Sequence, residues 1–175
     1  RGRMEAGKEG TGWQESACLN GRLHIRLPEG WETPAEAVLA EKFPCSTRPQ
    51  EIFADSRADR IFTISRMEKQ LQERQVYPAV REIQRVVSRV YPESVRDQAQ
   101  TVKTETGSAG FFSFLTGGIA GDTCHFVFIL PDADEKMLLG GLHLPAGELR
   151  SGKGLLAGII RSIQEEDTGK GRNIQ

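Results

Sequence analysis

The chain has 175 residues, with 23 Lys and Arg against 24 Asp and Glu and a formal net charge of −1. Such a balanced chain lacks the strongly basic field that holds a nucleic-acid backbone, so the composition argues against a dedicated nucleic-acid binder. With 38% hydrophobic and 27% charged residues, it is typical of a globular domain and differs from disordered and membrane-spanning chains.

The apolar runs are too short to cross a membrane. One of the longest, Phe126 to Leu130, is far shorter than the ~20 residues that a membrane-spanning helix needs. The N-terminal stretch is polar where a signal peptide would be apolar. The three cysteines form an odd and sparse set, which argues against a disulfide framework and favours reduced thiols. We therefore expect a cytoplasmic protein.

Both ends of the chain are polar and contain glycine without any apolar periodicity. This composition predicts flexible tails over residues 1–16 and 167–175. The segment between them, residues 17–166, has the length of one domain, since domains typically hold ~100–200 residues.

The first half of this domain alternates strands and helices. Apolar and polar residues alternate over residues 23–27, which predicts a strand with one solvated face. Thr33 before Pro34 is typical of a helix start, so a short helix is expected there. Two further strands are predicted at about 51–54 and 60–67.

The clearest predicted element is a helix from about Gln70 to Tyr91. Its apolar residues recur every three or four positions and form one buried stripe: Val76, Val80, Ile83, Val87 and Val90. Pro78 requires either that the helix begins near Tyr77 or that it is kinked there.

The second half of the domain is predicted to be rich in strands, at about 100–106, 110–116, 122–130 and 136–144, before a last helix at about 153–166. The last two strands are apolar on both faces, so helices are expected to cover both faces. The predicted class is α+β: an antiparallel-rich sheet of about six to seven strands between helices, in the order β-α-β-β-α-β-β-β-β-α.

This order, together with the turn Leu27-Pro28-Glu29-Gly30-Trp31 from the first strand into the first helix, resembles the PsbP-like α/β/α sandwich superfamily. That superfamily includes photosystem-associated PsbP proteins, Ran-binding Mog-type proteins, DcrB-like bacterial proteins and bacterial secretion-effector chaperones. The resemblance covers about residues 18–166 and implies an accessory or partner-binding protein. It assigns no functional residue.

The stretch Gly147 to Gly154 follows a predicted strand and opens the last helix, where a phosphate-binding loop would lie. However, Gly154 occupies the position at which such a loop carries the Ser or Thr that reaches Mg²⁺. We therefore expect a plain connection with no nucleotide cofactor, and at most weak anion binding at Lys153.

A possible catalytic pair is formed by Cys124 and His143. If residues 132–135 form the loop of a hairpin, the thiol lies opposite or nearly opposite the imidazole, and such a pair can form an activated nucleophile. The alternative is an inert core thiol, because Cys124 shares a strand face with Phe126 and Phe128.

Two surface features are candidates for binding a partner. Arg81, Arg85 and Arg89 recur every fourth residue and form a basic row opposite the buried stripe of the long helix. Ile119 lies in a glycine-rich loop that core packing does not explain. The alternatives are a solvated helix face and a mobile hairpin connection.

The three histidines do not suggest a metal site, because His24, His125 and His143 lie on separate predicted strands. From the whole sequence we predict a non-enzymatic binding or accessory domain without a cofactor, which receives a protein partner on its sheet surface or bordering loops. The alternative is a small cysteine-dependent enzyme that uses Cys124 with His143.

Overall fold

A computed structural model describes residues 12–119 and 121–166. Within these residues the strands are β1 (Trp13–Cys18), β2 (Leu23–Pro28), β3 (Glu51–Ala54), β4 (Ile61–Gln70), β5 (Val95–Arg96), β6 (Gln100–Lys103), β7 (Ser108–Thr116), β8 (Thr123–Pro131), β9 (Lys136–Pro145) and β10 (Gln164–Glu165). The α-helices are α1 (Glu36–Lys42), α2 (Val76–Val90) and α3 (Leu149–Arg161).

The main sheet has seven strands, and all of its pairings are antiparallel. Its order is β3-β4-β9-β8-β7-β5, and β6 also pairs with β7. The predicted antiparallel-rich sheet is therefore confirmed.

Both faces of the main sheet are covered, as the apolar alternation in β8 and β9 predicts. On one face, Phe126 and Phe128 pack in the largest core cluster with residues of α3 and β2. On the other face, Phe112 and Ile129 pack against the buried stripe of α2, while α1 covers the end of the sheet near β3. The α/β/α sandwich thus has α1 and α2 on one face of the main sheet. On the other face it has α3 and the hairpin of β1 and β2.

The N-terminal part of the domain differs from the prediction. Residues 13–16, which we expected in the tail, belong to β1. β1 is mostly exposed and forms by backbone pairing with β2, so it carries little of the apolar signal that reveals a strand. β2 is the central strand of a separate small sheet, β1-β2-β10. The predicted tails over residues 1–11 and 167–175 lie outside the described residues.

The helix starts also differ from the expected positions. The residue before α1 is Ala35, so Thr33 does not cap the helix. α2 begins at Val76 after a short 3-10 turn in which Gln72 and Gln75 cap each other. Pro78 is then the third residue of α2, where its missing N–H removes no intrahelical hydrogen bond. The helix therefore needs no kink at this proline.

Candidate functional site

A groove of about 520 Å³ lies on the face of the main sheet that carries α1 and α2. Phe43 and Tyr91, which directly follow α1 and α2 as their C-cap residues, form parts of its walls. The groove floor includes Phe114, His125 and His143 from three neighbouring strands. An aromatic wall above a pair of imidazoles is typical of a site that binds a partly apolar group.

Strand pairing places the two imidazoles side by side. Phe114 on β7 stands opposite His125 on β8, and His125 stands opposite His143 on β9. The His125 ring stacks on Phe114, with the ring centroids 4.7 Å apart. Thr116, two residues after Phe114, shares the same face of β7. These four side chains therefore form one layer across three strands.

A chain of hydrogen bonds links three of them. The Thr116 hydroxyl Oγ1 lies 2.8 Å from Nε2 of His125, and Nδ1 of His125 lies 2.8 Å from Nδ1 of His143. A bond between two Nδ1 atoms needs one protonated and one bare nitrogen, so at most one ring is an imidazolium while the bond persists. Thr116, His125 and His143 are all only partly exposed.

The surroundings favour the neutral form of both rings. Burial lowers the pKa of His125. Burial, with a smaller contribution from the like charge of His125, lowers the pKa of His143 to about 4. Both rings are therefore uncharged at neutral pH, as a partly apolar groove requires.

Gly141 makes room for the His143 ring. A Cβ atom at this position would lie 3.0 Å from Nε2 of His143. Since residues two apart in a strand share a face, the imidazole leans back along β9 over the glycine. A larger residue at position 141 would displace it.

The predicted pairing of Cys124 with His143 is wrong by one residue. The register of the hairpin between β8 and β9 differs by one residue from the expected one: the Asp132 N–H donates to the Lys136 carbonyl, Pro131 pairs with Met137, and Glu135 adopts a positive φ of 60°. This register places Leu144 opposite Cys124. The thiol consequently lies on the other face of the sheet, fully buried in the core cluster, and burial raises its pKa to about 11. The arrangement contradicts a Cys124–His143 catalytic pair.

The stretch from Gly147 to Gly154, for which the sequence suggests a plain connection with at most weak anion binding at Lys153, is helical rather than an open loop. Residues 146–148 form a 3-10 turn and α3 begins at Leu149, so Lys153 lies inside the helix. Gly152 serves packing, since a Cβ there would lie 2.5 Å from Cδ1 of Leu144. Glu148, which pairs with Arg60 at 3.0 Å, adds a negative charge at the helix start.

The predicted arginine row, Arg81, Arg85 and Arg89, lies on the exposed side of α2. Arg85 pairs with Glu82 at 2.6 Å, and the guanidinium of Arg81 lies 5.9 Å from the ring centroid of Tyr77. Arg89 makes no ion pair with any residue in the described part of the chain. The row therefore keeps most of its positive charge available.

Four exposed aliphatic residues are called the apolar rim: Val86 and Val90 on α2 beside this row, Val95 on β5, and Ile119 in the loop after β7. The exposed fractions of Val90 and Val95 are 63% and 68%, and Ile119 is fully exposed. Val95 pairs with Leu115, which lines a second groove of about 300 Å³ together with Val90, Tyr91, Thr116 and Gly117. Tyr91 borders both grooves. A group of large, solvent-exposed aliphatic side chains is typical of a binding surface.

The remaining histidine lies elsewhere. His24, on β2 of the small sheet, contacts Glu166 at 2.5 Å and Glu15 at 3.4 Å. Residues 12–119 and 121–166 contain no group of three His, Cys, Asp or Glu side chains arranged to hold a metal ion. The helices in that part of the chain are also too short or too polar to span a membrane.

The pair of His125 and His143 is the feature that sequence reasoning missed. The sequence came close to this pair. The hairpin register that places Cys124 opposite His143 differs by only one residue from the register that places His125 there. The turn conformation at Glu135 decides between these registers, and nothing in the amino-acid pattern specifies it.

No protein-family model matches the sequence, and no curated protein matches it either. Solved structures do match its fold. The Ran-binding protein Mog1p of Saccharomyces cerevisiae has a TM-score of 0.58 at 12% identity, with 90% of this chain and 97% of Mog1p covered. Cyanobacterial PsbP (CyanoP) from Synechocystis sp. PCC 6803 has a TM-score of 0.56 at 9% identity, with 88% and 92% covered.

A protein from Bacteroides thetaiotaomicron VPI-5482 is also similar, with a TM-score of 0.55 at 11% identity over 90% of this chain and 50% of that one. At these identities the likeness concerns the fold alone. Together with the sheet order and the covering layers, it shows that this chain has the PsbP-like, Mog-type α/β/α sandwich fold.

Proposed function

We propose that this protein is a binding or accessory domain that receives a segment of a protein partner beside the C-terminal half of α2. The observation that carries the proposal is the adjacency of the apolar rim and the arginine row. Val86 directly follows Arg85, and Val90 directly follows Arg89. The valines of the apolar rim and the arginine row therefore run side by side along α2. A partner segment that combines apolar and acidic side chains fits both strips.

Charge complementarity supports an acidic partner. The whole chain is nearly neutral, yet three arginines stand on one exposed helix side with a single glutamate paired among them. Such a local field steers an acidic partner and sets its orientation, while the neighbouring aliphatic side chains supply the buried area. The Ran-binding function of the structural neighbour Mog1p is consistent with this fold presenting a protein-binding surface.

The proposed location is the cytoplasm. The cysteines of the described chain are all unpaired, and Cys45 is exposed. An exposed free thiol suits a reducing compartment, where it stays unoxidised.

Reversing the charge of the arginine row is expected to abolish capture of the partner. The purified protein is immobilised, incubated with an extract of its source organism, and compared with R81E/R85E/R89E. Proteins retained by the original chain at low salt should be lost in the variant, with affinity lowered about tenfold or more, and should elute as ionic strength rises. Nuclease treatment of the extract should leave this capture unchanged.

The matched control is R26E/R150E/K153E, which reverses three exposed charges on β2 and α3, away from α2. It should retain the partner. Ile119→Ser tests the apolar rim separately and should weaken capture without affecting folding, since that side chain is fully exposed. Equal loss in both triple variants would contradict the proposed surface, because net charge alone would then explain the binding.

A further inference from the structure

We propose that Thr116, His125 and His143 form a nucleophile, a general base and a positioning residue that transfer the acyl group of small esters to water. This activity goes beyond partner binding and does not depend on it. The nucleophile is a hydroxyl group, and not the thiol of the alternative cysteine-dependent enzyme, since Cys124 lies on the opposite face of the sheet.

The geometry is that of an activated hydroxyl. The Thr116 Oγ1 atom lies within hydrogen-bond distance, 2.8 Å, of Nε2 of His125, the nitrogen that would accept its proton. The other nitrogen of His125 is held by Nδ1 of His143, also at 2.8 Å. A nucleophile, a base in contact with it and a third group that orients the base are the three parts that such catalysis requires.

The protonation states are suitable for a base. When Nδ1 of His125 carries its proton and donates to Nδ1 of His143, the Nε2 atom of His125 is bare and faces the Thr116 hydroxyl. Burial lowers the pKa of His125, so this ring is neutral and able to accept a proton at neutral pH.

A substrate has room on both sides of the hydroxyl. Thr116 and Gly117 line the smaller groove, His125 and His143 line the larger one, and Tyr91 borders both. The backbone N–H of Gly117 makes no hydrogen bond with the rest of the described chain. An unpaired amide directly after the nucleophile is a donor for the oxyanion that forms on the ester carbonyl. The aromatic walls suit an apolar acyl or leaving group.

The chemical step balances without a cofactor. Oγ1 of Thr116 attacks the ester carbonyl carbon while its proton moves to Nε2 of His125. The carbonyl reforms as the bond to the leaving oxygen breaks, and that oxygen takes the proton from His125. Water then attacks the acyl-threonine with His125 again accepting and returning the proton, which releases the carboxylic acid and restores the hydroxyl.

The test uses p-nitrophenyl butyrate as the substrate. Because the exposed Cys45 would itself react with this ester, all measurements are made in a Cys45→Ala background. Thr116→Val keeps the shape of the side chain and removes the hydroxyl, so it should lower the release of p-nitrophenolate at least about tenfold. Thr116→Ser keeps the hydroxyl and should retain the activity. Thr101→Val, the same change at an exposed site on β6, should have no effect.

His143 is tested as a positioning residue. His143→Gln retains an oxygen that accepts the His125 Nδ1–H, whereas His143→Phe does not. The glutamine variant should keep most of the rate, and the phenylalanine variant should lose it in kcat with little change in KM. If His143 has only a structural role, the hydrolysis rate of each variant should instead fall in step with its loss of thermal stability.

Peptide mass spectrometry of the Cys45→Ala chain with Thr116, His125 and His143 intact, quenched during turnover, decides the assignment independently of how the site variants fold. An acyl group on Thr116 supports the proposal. An acyl group found only on other residues, a Thr116→Val rate equal to the original, or a rate no greater than that of free imidazole at the same concentration would each overturn it.

Discussion

Replacing Gly140 with alanine is expected to destabilise the fold by about 3 kcal/mol or more. A Cβ atom at this position would lie 2.4 Å from Cζ of Phe128 and 2.4 Å from the carbonyl oxygen of Thr63. The Phe128 ring is fully buried and stacked on Phe62, and the carbonyl belongs to the neighbouring strand β4. Neither group can move without disturbing the main sheet, so the melting temperature should fall by about 6–12 °C.

The matched control is Gly154→Ala on the exposed side of α3. Apart from the adjacent residues and the backbone of the helix itself, no atom of the described chain lies within 4 Å of a Cβ at that position, so the change should raise stability by about 0.5–1 kcal/mol through helix propensity. Urea unfolding of the two variants beside the original chain measures both effects. If Gly140→Ala were as stable as the original chain, the close approach of Phe128 to β9 would be wrong.

Acidification from pH 6.5 to pH 4 is expected to remove up to about 3 kcal/mol of stability through His143. Burial lowers the pKa of this residue to about 4 in the folded protein, from its ordinary value of 6.5. Between these values the unfolded chain binds a proton that the folded chain does not. The stability that the neutral His143 imidazole contributes is therefore fully present above pH 6.5 and is lost as the pH falls toward 4.

Unfolding free energies of the original chain and His143→Gln, measured from pH 7 to pH 4, check this expectation. Carboxylates titrate in the same range, but they are common to both proteins, so the difference between the two curves isolates the imidazole. The glutamine variant should show the shallower pH dependence. Identical curves would mean that water reaches His143 freely.

Much of the fold could be predicted because periodicity reports burial. The stripe of α2 and the two-faced apolar pattern of β8 correctly predicted a sheet covered on both sides. The β1 strand escaped prediction since its side chains are mostly exposed and only its backbone pairing makes it a strand. Sequence patterns detect burial more readily than hydrogen bonding.

The candidate site was harder to predict because it depends on register. The arginine row follows from spacing along one helix, and the structure places it on the solvent side. The imidazole pair depends on the conformation of the turn between β8 and β9, because a shift of one residue in the strand register would place Cys124 rather than His125 opposite His143. The walls formed by Phe43 and Tyr91 depend on where two helices end, which sequence patterns locate only approximately.

The small sheet determines how the protein can be attached to a surface. β2 pairs with β1 on one side and with β10 on the other, so the first and last strands of the described chain flank the same central strand. This sheet packs in the core cluster of α3, on the face of the main sheet opposite α1 and α2. A surface that contacts this small sheet would therefore hold the protein from the side opposite α1 and α2, and would leave both grooves and the arginine row facing solution.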